Sequence, residues 1–179
     1  MNSITQLDLS LLEALQRLHC KALNVFFGAF TYMGEAGVFW ILAGIVMLFF
    51  AKRRRAGCTV LTALLLELLL NEHLVKKLIR RPRPFTLQPA LDTVIPHPGS
   101  FSFPSGHTAS SFAAATALFM YDKKLGTAAY IVAALIGFSR NYFGVHYTTD
   151  VLAGALFGVL IGLLAFAIVK DVSRLFSRR

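Results

Sequence analysis

The chain alternates long apolar blocks with short polar joints. Residues 36–51 read AGVFWILAGIVMLFFA and stop at KRRR. Residues 57–79 are largely apolar, with Glu67, Asn71, Glu72 and His73 embedded. Residues 105–121 stop at DKK, and residues 125–139 and 149–169 complete the set. Each block approaches the roughly 20 residues that a helix needs to cross hydrocarbon. A helix is the expected form because backbone polar groups find no partner in lipid except within their own segment. Five spans are the base expectation. Residues 22–30 are apolar too, but TYMGEAG follows them, so this segment is either an interfacial piece or the first half of one long, tilted helix. Ahead of it, Ser10 with Glu13 has the form of a capping box, and Leu11, Leu12, Leu15 and Leu18 share one helical face. That pattern predicts an amphipathic helix lying in the membrane interface.

Composition agrees with the pattern. Of 179 residues, 56% are hydrophobic and 15% charged, and the mean hydropathy is +0.62, far above that of an ordinary water-soluble domain. The expected fold is all-α: one integral membrane helical bundle over residues 1–179, with five to six transmembrane helices. No cleavable signal peptide is expected, since no basic segment leads into an apolar core at the N-terminus.

The net charge of +9 is distributed unevenly. If five spans alternate, KRRR at 52–55, DKK at 122–124 and the tail KDVSRLFSRR fall on one side, which the positive-inside rule makes cytoplasmic. The loop at 80–104 and the turn at 140–148 then face the exterior or periplasm. KKLIRRPRP, at residues 76–84, is strongly basic on the wrong side, so its charges are expected to serve another purpose. The bilayer is the expected partner, and no nucleic acid is. A homo-oligomer is not predicted: Gly154, Gly158 and Gly162 continue the face of Asp150 at intervals of four, which is read as close packing inside the bundle.

Two segments on the outer side carry the chemistry. KKLIRRPRPF and FPSGH supply Lys76, Arg83 and His107, and SRNYFGVHYTTD supplies Arg140, His146 and Asp150. A pocket with this excess of cations calls for an anion, and guanidinium forks match phosphate oxygens in pairs. Ser105 and Gly106 stand where a helix begins, so their N–H groups and the helix dipole also favour negative charge. His146 and Asp150 are four apart and lie one above the other on a helix face, the spacing for a carboxylate that fixes a histidine's tautomer and raises its nucleophilicity.

Taken together, Lys76-x6-Arg83-Pro84, Pro104-Ser105-Gly106-His107 and Ser139-Arg140-x5-His146-x3-Asp150 resemble the three signature motifs of the type-2 phosphatidic acid phosphatase family, position for position. The resemblance covers residues 76–150. It implies a membrane lipid phosphatase in which His146 attacks phosphorus to form a phosphohistidine, Asp150 orients it, and His107 protonates the leaving oxygen and then activates water. Lys76, Arg83 and Arg140, with Ser105 and the Gly106 amide, would hold the phosphoryl oxygens. Fixed cations can there do what Mg²⁺ does elsewhere. No metal and no cofactor is expected, and Cys20 and Cys58 read as apolar fillers. The small bacterial members that it resembles suggest undecaprenyl diphosphate as the first substrate, with phosphatidylglycerophosphate and phosphatidate as alternatives. A lipid transporter or scramblase is disfavoured, because transport needs neither a His–Asp pair nor a second histidine.

The remaining polar residues have plainer readings. His19, His73 and His97 read as packing or surface residues. Lys77, Arg80 and Arg81 read as juxtamembrane topology signals or contacts to anionic lipid. Glu67 and Glu72, acids within a span, read either as salt-bridge partners of an arginine or as substrate gates.

Overall fold

A computed structural model describes residues 3–177, with side chains as far as Val172. Along the chain come α1 (Ser3–Gln16), α2 (Lys21–Met33), a 3₁₀ turn (Glu35–Gly37), α3 (Val38–Leu48) and α4 (Arg54–Glu67). A π-helical segment (Leu68–Val75) leads from α4 into the short α5 (Lys76–Ile79) and α6 (Pro84–Leu87). After the loop at 88–105 follow α7 (Gly106–Phe119), α8 (Lys123–Tyr142) and α9 (Thr148–Ser177). Among the described residues there is no strand. The apolar blocks at 36–51, 57–79, 105–121, 125–139 and 149–169 fall on α3, on α4 through α5, and on α7, α8 and α9.

The centre of the bundle is α7. Ten of its 14 residues are buried, which is why it is built from Ala and Ser rather than Leu: small side chains let α4, α8 and α9 approach from three directions. The glycines of α9 meet it. A Cβ on Gly154 would stand 2.7 Å from the Ser105 carbonyl oxygen, and one on Gly162 2.5 Å from Thr116 Cβ. The expected close packing of this stripe inside the bundle is what the helices show. Trp40, Val60, Ile136 and Ile161 close the core around α7, and the Trp40 indole N–H donates to Ser111 Oγ at 3.0 Å. The outer faces are greasy instead: Leu152, Leu156 and Leu160 of α9 and Ile131 of α8 are exposed, as suits a hydrocarbon solvent.

Among the described residues, Arg54–Leu87 and Thr148–Val172 are each long and apolar enough to cross a membrane. The pair Lys21–Met33 and Glu35–Leu48 makes a third span if its 48° bend is counted within one. At one end of the bundle the joints after α3 and α7 meet, with Arg53 3.9 Å from Asp122 and Thr59 Oγ1 3.0 Å from Tyr121 Oη. The loop at 80–105 and the α8–α9 turn lie at the other end. Of the expected basic tail, residues 173–179 lie outside the side chains described.

The N-terminal helix differs from expectation in register. It begins at Ser3, so Ser10 lies mid-helix, where its hydroxyl donates to Leu7 O at 2.8 Å and no capping box forms. The buried face is Asp8, Leu9 and Leu12, while Leu11 and Leu18 are exposed. Leu9 and Leu12 pack on Leu91 of the loop at 88–105 and Tyr147 of the α8–α9 turn. Gln16 Nε2 donates to Asp92 O at 2.9 Å, so α1 sits over that loop and that turn.

Candidate active site

The candidate nucleophile lies in the tight turn between α8 and α9. Gly144 turns the chain with φ +63°, a conformation that glycine adopts without strain. Val145 N–H then donates back to Arg140 O at 3.2 Å. His146 follows, 1% exposed, with Asp150 wholly buried one helical turn on. Nδ1 of His146 stands 3.5 Å from Asp150 Oδ2, and Nε2 points to the cavity side, 3.2 Å from Arg83 Nη1. The other calls on Asp150 come from donors. Ser102 Oγ donates to Oδ2 at 2.5 Å, Tyr147 N–H to Oδ2 at 3.1 Å, and Arg81 Nη1 to Oδ1 at 2.5 Å. A carboxylate so surrounded stays an acceptor and fixes the Nδ1–H tautomer, leaving the Nε2 lone pair on the cavity side, where Arg83 Nη1 donates to it. Burial, and then the charges of Arg83, Arg140 and Lys76, hold the His146 pKa well below its ordinary value, so the ring is neutral and nucleophilic.

The cavity beside it has a volume of about 830 Å³. One wall is cationic and contains Lys76, Arg83, Gly106, His107, Arg140 and His146; the other is apolar, with Ile41 of α3 and Leu61, Leu64, Leu65 and Leu68 from the α4 side. Lys76, Arg83 and Arg140 are all buried. Lys76 bonds to Glu72. Arg83 instead donates to carbonyls, Ser100 O at 2.7 Å and Val145 O at 2.8 Å, and Arg140 donates to the Thr31 hydroxyl, with its Nε unpartnered. Two buried guanidiniums with no carboxylate bound to them among the described residues are costly unless an anion comes to them. His107 begins α7 on the far side of the cavity, its Nε2 3.3 Å from Glu35 Oε2 but without a hydrogen bond of good geometry.

Six of the eight expected site residues therefore line one cavity: Lys76, Arg83, Gly106, His107, Arg140 and His146. Asp150 stands behind His146. Ser105 departs from expectation. It is fully buried, its N–H donates to Asp150 O at 3.1 Å, and its hydroxyl accepts from Thr108 Oγ1 at 3.0 Å, so it braces the start of α7 against α9, while Gly106 beside it lines the cavity. Gly106 is glycine for a local reason, since a Cβ there would run into the Glu72–Lys76 pair.

Four further residues, Arg81, Glu67, Glu72 and Ser102, stand at the site with partners that the sequence does not reveal. Arg81, read from the sequence as a topology signal, bonds to both Asp150 and Asp8. Its signal was the alternation Arg81-Pro82-Arg83, because alternate residues of an extended segment point the same way. Glu72 pairs with a lysine, Lys76, not with an arginine, and Glu67 accepts from Asn71 Nδ2 at 2.7 Å. Both acids line the cavity. Five residues on an α-helix are separated by about 140° round the axis; the π turn brings them to the same side. Ser102 had no signal beyond standing just before FPSGH. His19 is a packing residue, its ring N–H donating to Tyr142 O at 2.8 Å, and His97 stacks on Phe85 with centroids 4.0 Å apart. Among the described residues, no three His, Cys, Asp or Glu side chains converge where a metal ion could sit.

A helical membrane bundle whose cavity is lined by buried cations, beside a histidine–aspartate pair and a second histidine, defines a class of protein. The profile of the PAP2 superfamily matches residues 56–174, and the chain belongs to that family. It is 35% identical over 111 residues to undecaprenyl-diphosphatase BcrC of Bacillus subtilis, a match covering 62% of this chain and 54% of that protein, so it spans about half of that relative's length. Phosphatidylglycerophosphatase B of Bacillus subtilis is 30% identical over 190 residues, covering 99% of this chain and 88% of the relative. The crystal structure of Aquifex aeolicus LpxE superposes with a TM-score of 0.79 at 32% identity, covering 90% of this chain and 95% of that one.

Proposed function

We propose that the chain is a metal-independent membrane lipid phosphatase, a single membrane domain that removes a terminal phosphate through a phosphohistidine. The observation that carries this reading is the pair of buried guanidiniums, Arg83 and Arg140, free of carboxylate partners and beside a neutral His146 whose Nδ1 faces Asp150. The phosphoryl group sits among Lys76, Arg83, Arg140 and the Gly106 amide. His146 Nε2 attacks phosphorus; a P–N bond forms as the bond to the lipid-side oxygen breaks, and His107 gives that oxygen a proton. His107 then takes a proton from water, whose oxygen displaces His146, and inorganic phosphate leaves. The fixed cations lower the barrier because they are already oriented toward the charge that develops on the phosphoryl oxygens.

A lipid is favoured because the apolar wall of the cavity runs onto exposed leucines. Leu65 and Leu68 line it and are also open to the surface of α4 and the π segment, so an acyl or prenyl chain can lie there while its headgroup reaches His146. Undecaprenyl diphosphate is the first substrate, supported by the BcrC relative. Phosphatidylglycerophosphate is the second reading, favoured by the coverage of nearly the whole chain in the match to phosphatidylglycerophosphatase B. Phosphatidate remains third. Five spans, α3, α4 through α5, α7, α8 and α9, leave α1 and α2 at the interface; the basic joints face the cytoplasm and the cavity faces the exterior or periplasm. The test is phosphate release by purified protein from these three lipids at equal surface concentration in mixed micelles. Turnover that His146→Ala abolishes supports the reading, and fastest turnover of undecaprenyl diphosphate supports the first substrate. Lipid movement without phosphate release would make the protein a transporter.

A further inference from the structure

Asp8 is a buried carboxylate on a helix outside the three motifs, yet its partners belong to the nucleophile's surroundings. Oδ1 accepts the Thr149 backbone N–H at 3.1 Å, and Oδ2 accepts the Thr149 hydroxyl at 2.5 Å and Arg81 Nη2 at 3.1 Å. The charge of Asp8 therefore lies at the N-terminus of α9, where the helix dipole and free N–H groups favour an anion. Arg81 is shared. Its Nη1 reaches Asp150 Oδ1 at 2.5 Å and Thr149 Oγ1 at 2.7 Å, and its guanidinium lies 3.8 Å over the Tyr147 ring. Four contacts from three elements leave that guanidinium little freedom.

The geometry has a consequence for catalysis. Asp150 can hold His146 by Oδ2 only if its plane is fixed, and Arg81 on Oδ1 is one of the contacts that fixes it. A guanidinium bound to Asp150 alone would be free to swing between its two oxygens and to compete with His146 for Oδ2. Asp8 holds the other end of the fork. We infer that Asp8 is a positioning residue for the nucleophile, acting through Arg81 and Asp150, so that α1 forms part of the catalytic apparatus. This rests on His146 being the nucleophile.

Asp8→Asn separates this role from simple docking of α1, because an asparagine oxygen still accepts from Thr149 N–H while the charge facing Arg81 is lost. Leu9→Ala is the control: it loosens α1 against Leu91 and Tyr147 and removes none of the hydrogen bonds of Asp8, Arg81 and Asp150. In full-length protein, Asp8→Asn should lower kcat about 10–100-fold, the scale for outer partners that orient an active histidine, with KM within about twofold. Leu9→Ala should lower the melting temperature with kcat nearly unchanged. Unaltered kcat in folded Asp8→Asn, a change confined to KM, or an equal loss of kcat in Leu9→Ala would each overturn the inference. A readout that needs no substrate is the side-chain ¹⁵N spectrum of His146. The Nδ1–H tautomer should dominate in the wild type and decline in Asp8→Asn. If wild-type protein releases no phosphate from any lipid, the phosphatase reading falls, and the tautomer ratio then decides the relay by itself, an unchanged ratio counting against it.

Discussion

Replacing Asp150 by asparagine changes one atom and should nearly stop the enzyme. Every neighbour of this buried carboxylate offers a proton: Arg81 Nη1 and Ser102 Oγ at 2.5 Å, Tyr147 N–H at 3.1 Å and, in the active tautomer, His146 Nδ1 at 3.5 Å. An asparagine NH₂ therefore meets a donor whichever way the amide turns. Facing Arg81, it removes the guanidinium's shorter ion pair and leaves it to Asp8. Facing His146, it asks Nδ1 to accept, which moves the ring proton to Nε2 and blocks the lone pair that must attack phosphorus. The second arrangement keeps the charged Arg81 contact and gives up the neutral donors Ser102 Oγ and Tyr147 N–H, and because a buried guanidinium is the costlier group to leave unpaired, the wrong tautomer should prevail. A wrong tautomer at a histidine held by aspartate in a serine protease lowers kcat about 10⁴-fold, which is about 5.5 kcal/mol of barrier. The assay is steady-state phosphate release from lipid in mixed micelles, beside a melting curve that establishes folding. Folded Asp150→Asn protein within about tenfold of the wild type would refute the tautomer argument.

Other expectations follow from the same geometry. His146 has a folded-state pKa depressed below its ordinary value near 6.5, so its ring stays neutral as the pH falls past that value while the unfolded chain takes up the proton. Folding stability should accordingly decline below about pH 6.5, and His146 ¹⁵N shifts at about pH 6 should still be those of a neutral ring; half-protonation at or above the ordinary value would contradict this. Gly154→Ala places a Cβ 2.7 Å from Ser105 O and should cost about 1–3 kcal/mol as overpacking between α7 and α9, read as a lower melting temperature; unchanged stability would mean the helices part easily. Because cations line the phosphate cradle, activity should persist in EDTA, while vanadate, which takes the five-coordinate geometry of the transition state, should inhibit. Loss of activity in chelator with recovery on adding Mg²⁺ would contradict that chemistry.

Much of this was legible in the sequence because it depended on local spacing. The four-residue step from His146 to Asp150 sets one side chain over the other on any helix, and apolar blocks of near-spanning length become helices in almost any bundle. What was not legible depended on partners far along the chain. Asp8 is satisfied by Thr149, 141 residues away, and by Arg81, 73 residues away, so nothing near it distinguishes it from a surface acid. The face by which α1 packs on the protein was illegible for the same reason: Leu9 and Leu12 are covered by Leu91 and Tyr147 from distant loops, and the periodicity that aligns Leu11, Leu12, Leu15 and Leu18 says nothing of those partners. The π segment also escaped detection, since the Glu67–Glu72 spacing has meaning only once the turn has widened. Ser105 was assigned a phosphate because it begins a helix, but its amide had already been claimed by the Asp150 carbonyl.

The covalent intermediate is the species whose capture tests His146 as the nucleophile most directly. Wild-type protein mixed with a lipid carrying ³²P in its terminal phosphate, and quenched in alkali within the first turnover, should yield labelled protein whose label is stable to base and lost in acid, as a phosphohistidine requires. Proteolysis should place that label on the peptide containing His146, and His146→Ala should abolish it. Turnover with no trapped label, or a label on His107, would contradict the assignment of His146 as the nucleophile.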